Sequence, residues 1–466
     1  MAGSPAKRFA EIGSDKPPTG PRAGMGTAIV LGGSVAGMLA ARVLADHAET
    51  VVVIERDAVT AGADERRGVP QGFQVHALLS GGSRQLERFF PGFIGRAVTA
   101  GASLVPPDQQ AMYTDGVRKV LGADISLLSG TRPFLEGRIR AELLKLPNVK
   151  VVTGQVTGLE IGETAVTAVR YESDGVAGRE PADLVVDAMG RASRLSAWLE
   201  SAGWERPPVV RVPTGINYAT AFFRRPPGEH QYGTALAIPS NLLRKEVGGA
   251  VFSAVEGDRW IAMMGGYGDL RPGSTAEDMI RRFRTELPEP FGHVAANEMV
   301  GDVATYRQAD SRRRDFWACE RLPARLAVVG DAVASFNPLY GQGMSSAALH
   351  ASALSMFLRS SPDLDAPARD FLALQRVIVD AAWQISASED RTGPEEGART
   401  PVGDRLARRI VDLIIQASIT DTAVNAAFQE VTQMLRHPST LAGPGVVWRA
   451  WRARKNPLPA PTPPLG

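Results

Sequence analysis

Two apolar runs separated by a glycine-rich turn and an alanine-rich segment open the patterned part of the chain. Residues 27–31 read T-A-I-V-L, and residues 51–54 read V-V-V-I. The turn of residues 32–37 follows the first run, and Glu55 ends the second. This order of apolar run, turn, small-residue helix and apolar run predicts a β-α-β unit with parallel strands.

Two later apolar segments end in the same way. Residues 184–193 read L-V-V-D-A-M-G-R-A-S, and residues 326–349 run from a buried strand through Gly330-Asp331 into a helix of small residues. An amphipathic stretch, residues 135–144, follows Arg132 and predicts another helix. These segments predict further βα units of the same sheet.

Residues 211–268 alternate apolar and polar positions without helical segments, which predicts an antiparallel second domain. Gly257-Asp258 suits a tight turn between two of its strands. Period two places these side chains together on one side of their strand: Tyr218, Thr220 and Phe222 in the first, and Trp260, Ala262 and Met264 in the second. Such apolar stripes form either packed core or the wall of a substrate cavity, and we expect Tyr218, Phe222, Trp260 and Met264 to line the cavity.

The pattern as a whole predicts an α/β protein: a Rossmann-like domain, an inserted antiparallel β-sheet substrate domain and C-terminal helices. Residues 365–437 have helical periodicity. The expected boundaries are a disordered tail at 1–25, a discontinuous nucleotide-binding domain at 26–100, 131–205 and 305–360, a substrate domain at 101–130 and 206–304, a helical region at 361–450 and a proline-rich tail at 451–466.

Composition narrows the class of protein without identifying it. The chain has 466 residues, of which 44% are hydrophobic and 22% charged, with a formal net charge of +2. This balance is typical of an enzyme of two or three domains and gives no reason to expect nucleic acid as a partner. The single cysteine and six scattered histidines predict no disulfide and no metal site. The absence of an apolar run long enough for a membrane span predicts a cytoplasmic protein.

The turn after the first strand has the features of a diphosphate site. Gly32 allows a tight turn, Ser34 replaces the middle glycine of a G-x-G-x-x-G motif, and Gly37 permits close packing of helix and strand. The N–H groups that open the helix at Val35 and Ala36 favour negative charge. Glu55, followed by Arg56, suits the hydroxyls of an adenosine ribose. A plain turn and a solvated strand end remain alternatives, but together these residues predict an ADP-containing dinucleotide, FAD or NAD.

A second site with an acid and glycines favours FAD over NAD. Asp331 at a strand end can accept hydrogen bonds from a ribityl chain, and the N–H groups near Gly343 and Met344 suit the N1 and C2 carbonyl region of a flavin. Gly190 repeats this strand-end pattern, and Arg132 either holds a phosphate or pairs with a neighbouring acid. The loop of residues 67–71 is either a surface loop or a segment whose backbone approaches a flat ligand.

Three separated motifs resemble the FAD-dependent monooxygenases of the para-hydroxybenzoate hydroxylase fold: residues 32–37 with Glu55, residues 187–193, and Gly330-Asp331 with Pro338 and residues 341–344. The phrase R-G-V-P-Q at 67–71 with His76, and F-N-P-L-Y-G-Q-G-M at 336–344, resemble a bacterial branch that includes epoxidases of polyether antibiotics such as lasalocid and monensin. The motifs and the resemblance together give these candidate cofactor-binding residues: Gly32, Ser34, Val35, Ala36, Gly37, Glu55, Arg56, Val69, Arg132, Gly190, Gly330, Asp331, Pro338, Gly341, Gly343 and Met344.

The resemblance implies insertion of one oxygen atom from O₂, through a flavin C4a-hydroperoxide, into an alkene of a small apolar substrate similar to a polyketide. It assigns no certain catalytic side chain, only main-chain donors near Gly343 and Met344. Met189 stands before Gly190 where aromatic hydroxylases carry an aspartate associated with both FAD and NAD(P)H, so the resemblance does not extend to direct binding of NAD(P)H. NAD(P)H is expected as the ultimate reductant, with a separate flavin reductase as a possible partner.

Three alternatives stay open: an aromatic hydroxylase of the same fold, a flavin-dependent reductase of the geranylgeranyl reductase type, and a flavin-binding module without catalysis. Halogenation is disfavoured. The chain has no tryptophan-x-tryptophan motif, and no lysine stands between Lys16 and Lys119.

Overall fold

The β-α-β unit predicted near the start of the chain lies at the centre of a five-stranded parallel sheet. A computed structural model describes residues 3–57, 74–75, 78–238, 249–390 and 402–465. The strands are β1 (Met25–Leu31), β2 (Ala48–Glu55), β3 (Ser103–Val105), β4 (Gln110–Thr114), β5 (Val117–Arg118), β6 (Leu127–Ser129), β7 (Val149–Thr153), β8 (Gln155–Ile161), β9 (Val166–Ser173), β10 (Val176–Pro181), β11 (Leu184–Asp187), β12 (Val209–Arg224), β13 (Thr234–Ile238), β14 (Gly249–Val255), β15 (Arg259–Gly266), β16 (Met299–Arg314), β17 (Leu326–Val328) and β18 (Ala334–Ser335).

Helices cover the sheet and form the C-terminal region. They are α1 (Pro5–Ile12), α2 (Val35–Leu44), α3 (Ser80–Phe89), α4 (Phe93–Thr99), α5 (Arg132–Leu143), α6 (Leu195–Ser201), α7 (Ala276–Thr285), α8 (Glu289–Ala295), α9 (Gln342–Arg359), α10 (Arg369–Asp390), α11 (Val402–Ala417), α12 (Thr422–Thr432) and α13 (Pro444–Ala453). Among the described helices, none is both long and apolar enough to cross a lipid bilayer.

The parallel sheet has the order β17-β11-β1-β2-β7. Its strands read as continuous apolar runs because both faces are covered. Leu31 at the end of β1 pairs in register with Ile54 of β2 and Asp187 of β11, and Asp187 pairs with Val328 of β17. The carboxyl ends of these four strands therefore meet at one edge, which is where ligands bind in open parallel sheets.

The second large sheet has eight strands in the order β18-β16-β12-β15-β14-β13-β4-β5. It is antiparallel except for the pair β13 and β4. One face packs on α7 and α8 through buried aromatic rings, including Phe252, Trp260 and Phe291. The α/β class and the inserted antiparallel sheet are confirmed. Strands β8, β9 and β10 form a separate three-stranded sheet.

Residues 3–25, expected to be a disordered tail, are ordered, so this expectation is wrong. Helix α1 begins after Ser4, whose hydroxyl accepts a hydrogen bond from the N–H of Lys7. Phe9 and Ile12 are fully buried, and the carbonyl of Ile12 accepts a hydrogen bond of 2.6 Å from the Ser352 hydroxyl of α9. The spacing of the two apolar residues places both on one side of the helix, and packing on the rest of the protein supplies the order.

Candidate functional site

A cavity of about 640 Å³ opens at the carboxyl edge of the parallel sheet and extends to the second sheet. Fourteen of the sixteen candidate cofactor-binding residues line it: Gly32, Ser34, Val35, Ala36, Glu55, Arg56, Arg132, Gly190, Gly330, Asp331, Pro338, Gly341, Gly343 and Met344. Gly37 lies beneath the first turn, where an added Cβ would meet the carbonyl oxygen of Gly32 at 1.8 Å. Val69, the rest of the loop 67–71 and His76 lie outside the described residues.

The turn after β1 can only be built from glycine at its first position. Gly32 has φ +101°, and a Cβ there would lie 2.7 Å from the carbonyl oxygen of Ala188. The N–H of Gly33 donates a 2.6 Å hydrogen bond to Oε2 of Glu55, which is 7% exposed. The turn, the first residues of α2 and the acid at the end of β2 thus form one wall of the cavity.

Ser34 joins an ion pair on α5. Its hydroxyl donates a 2.6 Å hydrogen bond to Oε1 of Glu136 and accepts one of 3.0 Å from the Arg132 guanidinium. Arg132, at the first position of α5, also pairs with Glu136 at 2.9 Å. Arg132 therefore pairs with an acid and faces the cavity at the same time. Glu136 is 3% exposed, and the sequence patterns gave no reason to single it out.

The second acid-and-glycine site lies directly against the first. Gly330 has φ +62°, and an added Cβ would lie 2.6 Å from Cβ of Ala36 at the start of α2. Burial raises the pKa of the neighbouring Asp331 carboxyl, while Arg132, Arg191 and Arg314 act in the opposite direction.

A buried histidine holds the position of Gly330. The N–H of Gly330 donates a 2.9 Å hydrogen bond to Nδ1 of His350, which is fully buried on α9. Burial lowers the pKa of His350 to about 3, so the ring is neutral and its Nδ1 can accept. The sequence placed His350 on the helix but gave no signal of this role.

Helix α9 begins at the cavity. Gly341 precedes it in the left-handed conformation with φ +63°, and Gly343 and Met344 lie in the first turn, where N–H groups have no intrahelical acceptor. Gln342 is 1% exposed and lines the cavity, and within the described part of the chain its amide nitrogen and oxygen have no hydrogen-bond partner. A buried amide of this kind calls for a polar ligand or water. Gln342 stood inside the motif at 336–344 but was not singled out.

The turn after β11 completes the cavity wall. Asp187 is fully buried and accepts hydrogen bonds from the N–H of Met189 and the hydroxyl of Ser193. Burial raises its pKa to about 6. Gly190 has φ +69° with open space around it, and Arg191 pairs with Asp310 of β16. The turn is therefore tied to both sheets.

The end of the cavity at the second sheet carries phenol, phenyl, amide and thioether groups: Tyr218, Met263, Tyr306, Gln308, Phe336 and Asn337. The hydroxyl of Tyr218 donates a 2.9 Å hydrogen bond to Oδ1 of Asn337, and the Asn337 amide donates one of 3.4 Å to the Tyr267 hydroxyl. Tyr218 was a candidate substrate-pocket residue, whereas Met263, Tyr306 and Asn337 were missed.

The other three candidate substrate-pocket residues lie elsewhere. In the register of β12 and β15, Tyr218 lies opposite Gly265 and Thr220 opposite Met263. Met263 therefore shares the cavity face, and its neighbour Met264 points to the opposite face. Trp260 and Met264 belong to the core against α7 and α8. Phe222 lies under the Arg259 guanidinium, 4.7 Å from the ring centre, beyond the cavity.

Among the described residues, no group of His, Cys, Asp or Glu side chains is placed to hold a metal ion. The described cavity wall also contains no lysine.

A known mycobacterial protein is similar to this chain in sequence over most of its length. No family model matches the chain. The protein Rv3254 of Mycobacterium tuberculosis (strain ATCC 25618 / H37Rv) is 34% identical over 349 residues, which cover 72% of this chain and 73% of that protein.

Solved structures of flavin-dependent enzymes match over most of their length. The flavin-dependent brominase Bmp2 has a TM-score of 0.63 and 15% identity, and the match covers 92% of this chain and 98% of Bmp2. The probable FAD-dependent monooxygenase PqsL of Pseudomonas aeruginosa has a TM-score of 0.61 and 18% identity, over 78% of this chain and 96% of PqsL. The p-nitrophenol 4-monooxygenase PnpA of Pseudomonas putida DLL-E4 has a TM-score of 0.60 and 17% identity, and the match covers 89% of this chain and 99% of PnpA. The chain thus has the fold of the FAD-dependent monooxygenases and belongs to the same family as the mycobacterial protein Rv3254.

Proposed function

We propose that this chain is an FAD-dependent monooxygenase that inserts one oxygen atom from O₂ into a small apolar substrate, with an alkene of a polyketide-like secondary metabolite as its target. One observation carries the proposal: the two acid-and-glycine sites, about 300 residues apart in sequence, contact each other at Ala36 and Gly330 and line one cavity.

The residues present fit FAD. The first turn has no side chain between the backbone and the cavity at Gly32, and Ser34 and Arg132 lie beside it, as binding of a diphosphate requires. Asp331 lies at the junction of the two sites, and the same wall contains Gln342, whose amide has no hydrogen-bond partner among the described residues. When bound, FAD would supply the two-electron redox chemistry and the activation of O₂.

The chain itself would contribute charge stabilisation and exclusion of water. The N–H groups at Gly343 and Met344 favour negative charge at the start of α9. Tyr218, Met263 and Phe336 would hold the substrate and displace water from the end of the cavity at the second sheet. Epoxidation of an alkene needs no strong general base, and no carboxylate or histidine of the described residues lines that end.

NAD(P)H would be the ultimate source of electrons. The turn after β11 carries Met189 before Gly190, in place of the aspartate of the aromatic hydroxylases, which favours delivery of electrons through a separate flavin reductase.

Hydroxylation of an aromatic ring is the second candidate function. The hydrogen-bonded chain from Tyr218 through Asn337 to Tyr267 favours it, because two phenol groups joined by an amide can position the hydroxyl of a phenolic substrate. PnpA has the same fold and is named as a monooxygenase of such a compound.

The test is turnover under ¹⁸O₂ with FAD, NADH and an added flavin reductase, on a panel of neutral polyenes and phenols. The proposal predicts one ¹⁸O atom per oxygenation and an epoxide from a polyene. A labelled phenol product with no epoxide would favour the second candidate. A product that carries no label would contradict both and favour a flavin-dependent reductase.

A further inference from the structure

Helix α13 presents its large aromatic side chains to solvent and its small ones to the protein. Ala450 and Ala453 are buried against Ile414 and Ala417 of α11. Trp448 and Trp451 are 58% and 45% exposed. The two indoles stand three positions apart and so share one side of the helix. The fully buried residues of α13 are the two alanines, and both tryptophans lie outside the cluster that these alanines form with α11.

Cations surround these indoles. The Arg452 guanidinium lies 4.9 Å from the ring centre of Trp448, and the Arg454 guanidinium lies 4.7 Å from that of Trp451, with the ammonium of Lys455 at 5.7 Å. These are distances at which a cation is attracted to the ring face. The two indoles and the three cations beside them form one surface. We call this surface, made of Trp448, Trp451, Arg452, Arg454 and Lys455, the Trp-cation face.

The positive charge of the Trp-cation face is not neutralised locally. Among the described residues no carboxylate lies within ion-pair distance of Arg452, Arg454 or Lys455, whereas Arg449 on the same helix pairs with Asp421 at 2.8 Å. Residues 431–466 contain no aspartate or glutamate. The net charge of the whole chain is only +2, so this concentration of charge is a property of one surface.

We propose that the Trp-cation face binds the surface of an anionic lipid bilayer. Tryptophan prefers the interface between headgroups and acyl chains, because its ring is apolar and its N–H can stay hydrated. Arginine and lysine beside it attract anionic headgroups, with a gain of about fivefold in affinity for each charge. A helix of ten residues lies on such a surface and does not cross it. The contact is therefore peripheral and reversible.

The test is sedimentation of the full-length protein with vesicles of phosphatidylcholine alone or mixed with phosphatidylglycerol. The protein is expected to sediment with the mixed vesicles and to remain in solution with the neutral ones. The R452Q/R454Q/K455Q variant should lose about a hundredfold in affinity, and W448S/W451S should lose binding together with any blue shift of tryptophan fluorescence on addition of vesicles.

The matched control is R281Q/R282Q/R284Q on α7, which removes the same number of charges from another surface helix. It should bind the mixed vesicles as the unmodified protein does, and unchanged circular dichroism would show that each variant is folded. Failure of the unmodified protein to sediment with the mixed vesicles would overturn the proposal and leave the Trp-cation face to a protein partner. Equal losses in the α13 and α7 variants would overturn it as well.

Discussion

Gly330 and Ala36 pack so closely that a side-chain carbon on Gly330 would lie 2.6 Å from Cβ of Ala36. Gly330 follows the last strand of the parallel sheet and Ala36 opens the helix after the first. This contact brings the two acid-and-glycine sites together into one cavity wall. The close approach of the two sites therefore requires glycine at position 330.

Replacement of Gly330 by alanine should therefore separate the two sites. The new Cβ would clash with Ala36, and φ +62° is a strained conformation for alanine. We expect FAD affinity to fall at least about tenfold and the melting temperature to fall by several degrees, measured by fluorescence titration and calorimetry. Gly95→Ala is the control, because nothing lies within 4 Å of a Cβ at that helical position. If Gly330→Ala binds FAD as tightly as this control, the contact does not shape the site.

The ion pair between Arg132 and Glu136 allows its structural and ligand-binding roles to be separated. Arg132→Gln leaves the buried Glu136 carboxylate without its guanidinium and should cost about 3 kcal/mol of unfolding free energy. Arg132→Gln/Glu136→Gln removes both charges and should recover most of that stability. FAD affinity should stay low in both variants if Arg132 binds the diphosphate. Recovery of affinity in the double variant would show that Arg132 acts only through Glu136.

The burial of His350, which accepts a hydrogen bond from the N–H of Gly330, makes the fold sensitive to acid. Burial lowers the pKa of His350 to about 3, and in the unfolded chain a histidine titrates near 6.5. Between these values the unfolded state binds more protons than the folded state, so stability is complete above the unfolded pKa and falls as pH is lowered towards 3. His47 adds to this loss, since burial lowers its pKa to about 4.

Substitution of His350 by glutamine isolates the contribution of His350 to the loss of stability at low pH, because an amide oxygen can accept the Gly330 N–H without titrating. Urea unfolding at about pH 8 and about pH 5 should show a smaller loss of stability in His350→Gln than in the unmodified protein. An equal loss in the two proteins would mean that His350 is not the group that titrates.

The phenol of Tyr218 distinguishes the two candidate reactions. Tyr218→Phe removes the hydroxyl that donates to Asn337 and keeps the ring. We expect FAD affinity to stay within about twofold, and turnover of an alkene to change by less than about tenfold, because epoxidation removes no proton from the substrate. Turnover of a phenol should fall by about a hundredfold or more if this hydrogen-bonded chain positions its hydroxyl.

Met264→Leu is the matched control for Tyr218→Phe, since Met264 lies in the core on the opposite face of the same sheet. It should lower stability slightly without changing the ratio of alkene to phenol turnover. If Met264→Leu shifts that ratio as much as Tyr218→Phe does, the assignment of the cavity face is incorrect.

Local patterns in the sequence were sufficient to predict much of the cavity wall at the parallel sheet. The residues around Gly32 and Gly330 follow apolar strands at fixed distances, and parallel strands bring their carboxyl ends to one edge. Val69, in the loop at 67–71, lies outside the described residues, so its assignment to the cofactor stays a prediction.

The residues at the end of the cavity on the second sheet could not be predicted in the same way. They depend on the register between strands, which the apolar pattern of one strand does not show. Strand β15 is buried on both faces, so its apolar pattern could not show that Met263 and not Met264 faces the cavity; pairing with Thr220 decides it. The prediction of a disordered tail at 1–25 failed for a similar reason, since Phe9 of α1 is buried and packs against His437, which is hundreds of positions away in sequence.

An equilibrium titration of the purified protein with FAD shows most directly whether both acid-and-glycine sites bind one FAD molecule. One FAD should bind per chain, ADP should compete with it, and FMN, which lacks the adenylate half, should bind at least about a hundredfold more weakly. No binding of FAD, or equal affinity for FMN and FAD, would mean that the two sites do not hold one FAD molecule.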